Sequence, residues 1–166
     1  ALQRPVLEGV RQALDQLLAM REREGQAILQ DIRGRNERIR QMVAQIESYA
    51  KEVKWEYGNR LRQRVEEFLA HKVEVDEYRL LNEIALWAEK ADISEECTRL
   101  KSHCQQFDRF LSSEEPVGRR LDFLIQEMNR EINTIGSKAH AVSISQLVIQ
   151  MKAELEKIRE QIQNVE

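Results

Sequence analysis

The chain has 166 residues, enough for one domain with a buried core, and carries a formal net charge of −3. A balance so close to neutral excludes a global basic field, so any RNA or DNA site must be a local basic patch. Two prolines, six glycines and 33% charged residues describe an all-α protein of long helices with coiled-coil or helical-bundle packing, and no apolar run of about 18 residues is available to span a membrane.

Residues 6–24 are predicted as a helix with Val6, Val10, Leu14, Leu17 and Leu18 on one side, and Gly25 is a plausible break. From Ala27 to about Ala70 the pattern is one long helix or two nearly collinear ones. Ile32, Ile39, Ile46 and Val53 recur every seven residues, with Ile28, Met42, Tyr49 or Ala50 and Tyr57 between them, which is a seam for another helix. Gly34 and Gly58 weaken it locally and are candidate bends. Arg33, Arg35, Glu37, Arg38 and Arg40 read as a solvated face, with RNA contact by the arginines as the alternative. Residues 1–75 thus form a long helical arm, and His71 to Val75 a connection.

Asp76 is a suitable N-cap for a helix through Leu80, Leu81, Ile84, Trp87 and Ala91. Asp92 followed by Glu95 resembles a capping box for the next helix, whose seam is Ile93, Cys97, Leu100, Cys104, Phe107 and Leu111. Cys97 and Cys104 lie two turns or about 10 Å apart on it, too far for an unstrained mutual disulfide, so reduced thiols and a cytoplasmic setting are expected. Beside the seam, Asp92, Glu96, Arg99 and His103 form a polar stripe. Flanking ion pairs explain it, and so does a metal or acid–base stripe, which needs a second helix to be complete.

Ser112 to Glu115 spaces like a further capping box, and Pro116 suits a first helical turn. The helix over residues 118–138 is the most informative stretch. Leu121, Leu124, Ile125, Met128, Ile132, Ile135 and Ala139 share one apolar arc. The opposite face carries Arg119, Asp122, Gln126, Asn129, Arg130, Asn133, Thr134 and Ser137, and a second edge carries Arg120, Glu127, Glu131 and Lys138. Asn, Thr, Ser and Asp compete with the backbone for hydrogen bonds and are poor choices for a face that needs only solvation. Such a face predicts specific hydrogen bonding, and a polar network buried against a neighbouring helix is the alternative. Gly136 either allows close helix approach or ends the helix. Ser143 with Gln146 is predicted to cap the final helix, whose stripe Ile144, Val148, Met151, Leu155, Ile158, Ile162 and Val165 packs back on 118–138 or on another subunit. Residues 76–166 form the C-terminal helical domain, closing in a helical hairpin.

No Walker loop, dinucleotide-binding glycine pattern, Cys–Cys zinc spacing, His-Glu-x-x-His or Gly-x-Ser-x-Gly occurs, and His71, His103 and His140 are the only histidines. There is no signal-peptide pattern. The chain begins at Ala1, directly in helical pattern, which leads us to expect a fragment.

Gly118-Arg-Arg-Leu-Asp-Phe through Gln126-Glu-Met-Asn-Arg-Glu and Asn133-Thr to Ser137-Lys138, closing with Arg159-Glu-Gln-Ile-Gln-Asn-Val-Glu166, resemble the C-terminal domain of the YicC/YloC family of bacterial stress-induced proteins. Arg21-Glu-Arg-Glu-Gly25 and Asp92-Ile-Ser-Glu-Glu through Arg99-Leu to His103 match the same pattern upstream. The resemblance implies a longer intact protein with a further N-terminal domain that is absent here. It also implies an endoribonuclease that cuts single-stranded RNA with a divalent metal ion, Mn²⁺ or Mg²⁺, and a ring-like homo-oligomer, a hexamer.

On that resemblance Glu127, Glu131, His103 and Asp122 become the catalytic candidates, and Glu96, His103 and Glu127 the metal ligands. Arg119, Arg120, Arg130 and Lys138 would grip phosphates, with Gln126, Asn129 and Asn133 reading sugar or base edges. The competing functions are a helical oligomerisation scaffold and an RNA-binding module without catalysis.

Overall fold

The computed structural model describes residues 3–69, 76–113, 117–139 and 141–163. The expected 71–75 connection, His71, His140, Glu115, Pro116 and Val165 lie outside these. The described residues form five helices: α1 (Gln3–Leu69), α2 (Glu77–Lys90), α3 (Ser94–Leu111), α4 (Gly118–Lys138) and α5 (Val142–Gln163).

The first departure from expectation is α1, a continuous helix of 67 residues, or about 100 Å. Gly25 does not break it. A single glycine costs about 1 kcal/mol against Ala, which good helix formers on either side outweigh. The middle of α1 is one leg of a four-helix bundle completed by α3, α4 and α5, each packed on two neighbours in the cyclic order α1, α3, α4, α5. Directions follow from cross-helix contacts. Asn36 meets Cys104 and Asp108 while Lys101 meets Glu47, so α3 runs antiparallel to α1. Arg99 meets Glu131 and Arg120 lies over Phe110, so α4 runs antiparallel to α3. The bundle is therefore up-down-up-down.

Ile32, Ile39, Val43 and Ile46 of α1 are buried in one core with Phe107, Met128, Ile132, Met151 and Ile158. The heptad positions Ile32, Ile39 and Ile46 thus supply the core, which runs across the division at residue 75, whereas Val53, the next in the series, is only half-buried and lies outside it. The arginine cluster of α1 is not a simple solvated face. Arg35 pairs with Asp31 at 2.7 Å and Glu154 at 2.9 Å, Arg40 pairs with Asp108, and Arg33 donates to Ser112. Between them Asn36, fully buried, donates to the Cys104 carbonyl at 2.9 Å and to Asp108 at 2.8 Å. These bonds fix the α1–α3 register.

Beyond the bundle α1 continues in both directions. Its C-terminal part receives α2, held by the stacked rings of Tyr57 and Trp87, 3.7 Å between centroids, and by the Arg62–Glu77 pair. Its first 20 or so residues lie exposed, with Val6, Val10, Leu14 and Leu17 all more than 45% accessible. Among the described residues no helix is long and apolar enough to cross a membrane.

The caps refine the expected boundaries. Asp76 accepts from the Arg79 N–H as foreseen. The N-cap position of α3 is Ile93 and not Asp92, which stands one residue earlier and accepts from the Ser94 N–H and hydroxyl, so the expected capping box does not form. Helix α5 already starts at Val142, which puts Ser143 inside its first turn and not at the cap.

Candidate RNA-binding face of α4 and α5

The apolar arc of α4 faces the core, which forces its remaining residues into two edges and an outer face. On the edge towards α3 the polar residues are committed to each other. Lys138 donates to Glu96 at 2.6 Å and to the Asp92 carbonyl at 3.2 Å, and Arg99 meets Glu131 at 3.0 Å while holding Glu95. Glu96 and Glu131 are 3% and 5% exposed, so these two carboxylates are built into the helix contact. The polar-network alternative describes this edge.

The same register sets His103 opposite Glu127. His103 is half-buried, and its Nδ1 is buried with no hydrogen-bond partner among the described residues. Glu127 is half-buried, and no ion pair of its own is found among the described residues. Arg120 lies over the Phe110 ring at 5.7 Å, a cation–π contact.

The edge towards α5 is different. Asp122, Gln126, Asn129 and Asn133 step by 4, 3 and 4 residues along α4. Lys152, Glu156, Arg159 and Gln163 do the same along the antiparallel α5. The two rows line an open polar hollow of about 590 Å³, floored by Ile125 and Leu155. Asp122, Gln126, Asn129 and Asn133 are exposed. This edge carries the amides singled out in the sequence, and they make no hydrogen bond among the described residues. The α5 partners were missed, although each sits one residue after a seam position (Met151, Leu155, Ile158, Ile162), a signal as regular as the one on α4.

On the outer face Arg119 and Arg130 are exposed, with no acidic partner among the described residues. Thr134 and Ser137 turn back onto their own helix, their hydroxyls donating to the Arg130 and Thr134 carbonyls, so they offer less outward hydrogen bonding than their chemistry promised. Both cysteines are free and buried, and burial first of all pushes each thiol up to about 12, which rules them out as thiolate nucleophiles near neutral pH.

The expected metal donors do not converge. Glu96 is occupied by Lys138 and stands two turns from His103 on α3. No group of three His, Cys, Asp or Glu side chains gathers to hold an ion among the described residues. The donor set Glu96, His103 and Glu127 therefore does not fit a metal site within one chain.

Residues 46–166 match the family model described as "Endoribonuclease YicC-like, C-terminal". The chain is 44% identical over 159 residues to "Probable endoribonuclease YicC" of Clostridioides difficile (strain 630), covering 96% of this chain and 54% of that protein. It is 34% identical over 166 residues to the protein of the same name from Haemophilus influenzae (strain Rd), covering 100% of this chain and 57% of the relative. The chain thus spans about half the length of the curated relatives it matches. With the family model covering well over half its residues, the chain belongs to the YicC-like endoribonuclease family.

Proposed function

We propose that this chain is the helical, RNA-holding part of an endoribonuclease of the cytoplasm that acts on single-stranded RNA. The observation carrying the proposal is the open hollow between α4 and α5, where four polar side chains of one helix face four of the other. Lys152 and Arg159 supply cations for phosphates, Arg being suited to bidentate contact. Gln126, Asn129 and Asn133 supply amides that both donate and accept, as sugar hydroxyls and base edges require. Arg119 and Arg130 extend the cationic surface outward.

Cleavage of a phosphodiester, whether by water or by the neighbouring 2′-hydroxyl, needs a base to take the nucleophile's proton and an acid to protonate the departing 5′-oxygen. His103 and Glu127 are the candidates for these roles, a choice supported by the lack of an ion pair at either among the described residues and by the α3–α4 register, in which Arg99–Glu131 and Phe110–Arg120 put the two at matching heights. Asp122 stands further round the helix, at the hollow. Glu131 positions Arg99 and is assigned no proton transfer. The donors among the described residues do not gather into a metal site, so no step of this proposal passes through Mn²⁺ or Mg²⁺.

Self-association is part of the proposal. The exposed stripe of Val6, Val10, Leu14 and Leu17 on α1 is an unpartnered apolar helix face of the kind that subunits bury, and the expected ring-like hexamer would use it.

The test incubates end-labelled single-stranded RNA with the wild-type chain, His103→Ala and Glu127→Gln, each with chelator and with Mn²⁺ or Mg²⁺ restored. Cleavage by the wild type that falls at least a hundredfold in both variants, with RNA binding retained, is the expected result. Binding without cleavage under every condition would instead identify a non-catalytic RNA-binding module.

A further inference from the structure

Phe123 is the residue of α4 that neither the core nor the polar edges account for. It is 60% exposed, yet it lies at the centre of the helix's outer face. At 100° per residue Arg119, Arg130, Thr134 and Glu127 all fall within about 40° of its direction, and Gln126 within about 60°. A phenylalanine in mid-face is a poor choice for solvation or helix propensity. Here it stands one turn from Arg119 and two turns from Arg130, neither of which has an acidic partner among the described residues.

An exposed aromatic ring flanked by cations that have no acidic partner among the described residues matches a single-stranded nucleic acid, which pairs a π-face with a phosphate on either side of each sugar. A protein surface would need a carboxylate placed against each arginine, whereas every nucleotide of a single strand brings its own phosphate. We infer that Phe123 is a stacking platform for one nucleobase of single-stranded RNA, with Arg119 and Arg130 holding the phosphates that flank it. The inference rests on the RNA-binding role proposed above and makes that role more specific. Stacking tolerates any base, so this position anchors the strand without selecting sequence, and selection is left to the amides in the hollow.

The probe is a single-stranded oligoribonucleotide carrying 2-aminopurine at one internal position, moved along the strand in a series. Direct binding and fluorescence are read for the wild type, Phe123→Ala, Phe123→Leu and Phe123→Trp, with helicity and sedimentation measured on each. The expected result is quenching at one or a few positions with the wild type. Phe123→Ala and Phe123→Leu should lose the quenching and bind roughly tenfold to a hundredfold more weakly, with Phe123→Trp at least as tight as the wild type. Leucine keeps apolar area without a π-face, so its failure separates stacking from general hydrophobicity. Wild-type affinity in the Ala and Leu variants would overturn the inference while leaving the RNA-binding role intact. So would a change in sedimentation without a change in RNA affinity, which would make Phe123 a subunit contact. Failure of the wild type to bind the oligonucleotide would overturn both.

Discussion

Asp92 stands in the middle of the short break between α2 and α3 and does three things there. It accepts the Ser94 hydroxyl and N–H, and it pairs with Lys54 at 3.0 Å, tying that break to α1. These bonds, the Ser94 hydroxyl first, hold its carboxyl well below the usual carboxylate range. A depressed folded-state pKa contributes stability that is complete above the unfolded value, about 3.9, and is lost as pH falls through the folded one. The wild type should therefore lose stability below about pH 4. Asp92→Asn, which keeps an acceptor but no charge, should be less stable at pH 7 and show a smaller loss on acidification. Urea midpoints at pH 7 and pH 3 measure this, and parallel pH profiles for the two proteins would contradict it. Asp92 is half exposed, so solvent screening keeps the difference small, within about 1 kcal/mol.

At the scale of the helix, glycine placement separates positions that a composition table treats alike. A Cβ at Gly25 or Gly34 would meet nothing within 4 Å, whereas at Gly136 it would come within 3.1 Å of a Val148 methyl. Of the two roles the sequence allowed Gly136, close approach is the one the structure uses, between α4 and α5. Gly25→Ala and Gly34→Ala should each stabilise the chain by up to about 1 kcal/mol, raising the melting temperature by a few degrees. Gly136→Ala should give no such gain, because the branched, stiff valine opposite must yield. Equal gains at all three sites would show that α4 and α5 are not in close contact there.

The helices themselves were legible because heptad spacing of Ile, Leu and Met encodes which side is buried, and every seam residue named on α4 is buried in the core. What spacing could not encode was the fate of a polar residue beside a seam. Glu131 and Asn133 both flank Ile132. One is locked to Arg99 across α3 and the other opens into the hollow towards α5, and only the order of helices around the bundle decides which. The Gly25 break failed for a related reason, since local propensity cannot show that a helix continues because its next turns are anchored in a core.

The molecule as a whole combines a single core with surfaces of distinct character. The middle of α1 is bound to the bundle by Asn36, Arg35 and Arg40, so the exposed first turns of α1 and the α4–α5 face are carried on one frame. The fold class and the C-terminal hairpin could be read from periodicity. The hollow could be read only in half, because the sequence reading weighed α4 for its amides and α5 for its seam alone. With a net charge of −3, binding of a polyanion must come from local cations, and this makes the account quantitative.

The decisive measurement is the affinity for single-stranded RNA as a function of salt, for the wild type and for the Lys152→Gln/Arg159→Gln double variant. Each phosphate contact removed lowers the slope of log K against log salt by about 0.7 on a single strand. The account predicts salt-dependent binding by the wild type and a slope smaller by about 1.4 in the double variant, with helicity unchanged. An identical slope and affinity in the two proteins would contradict the assignment of RNA to the face between α4 and α5.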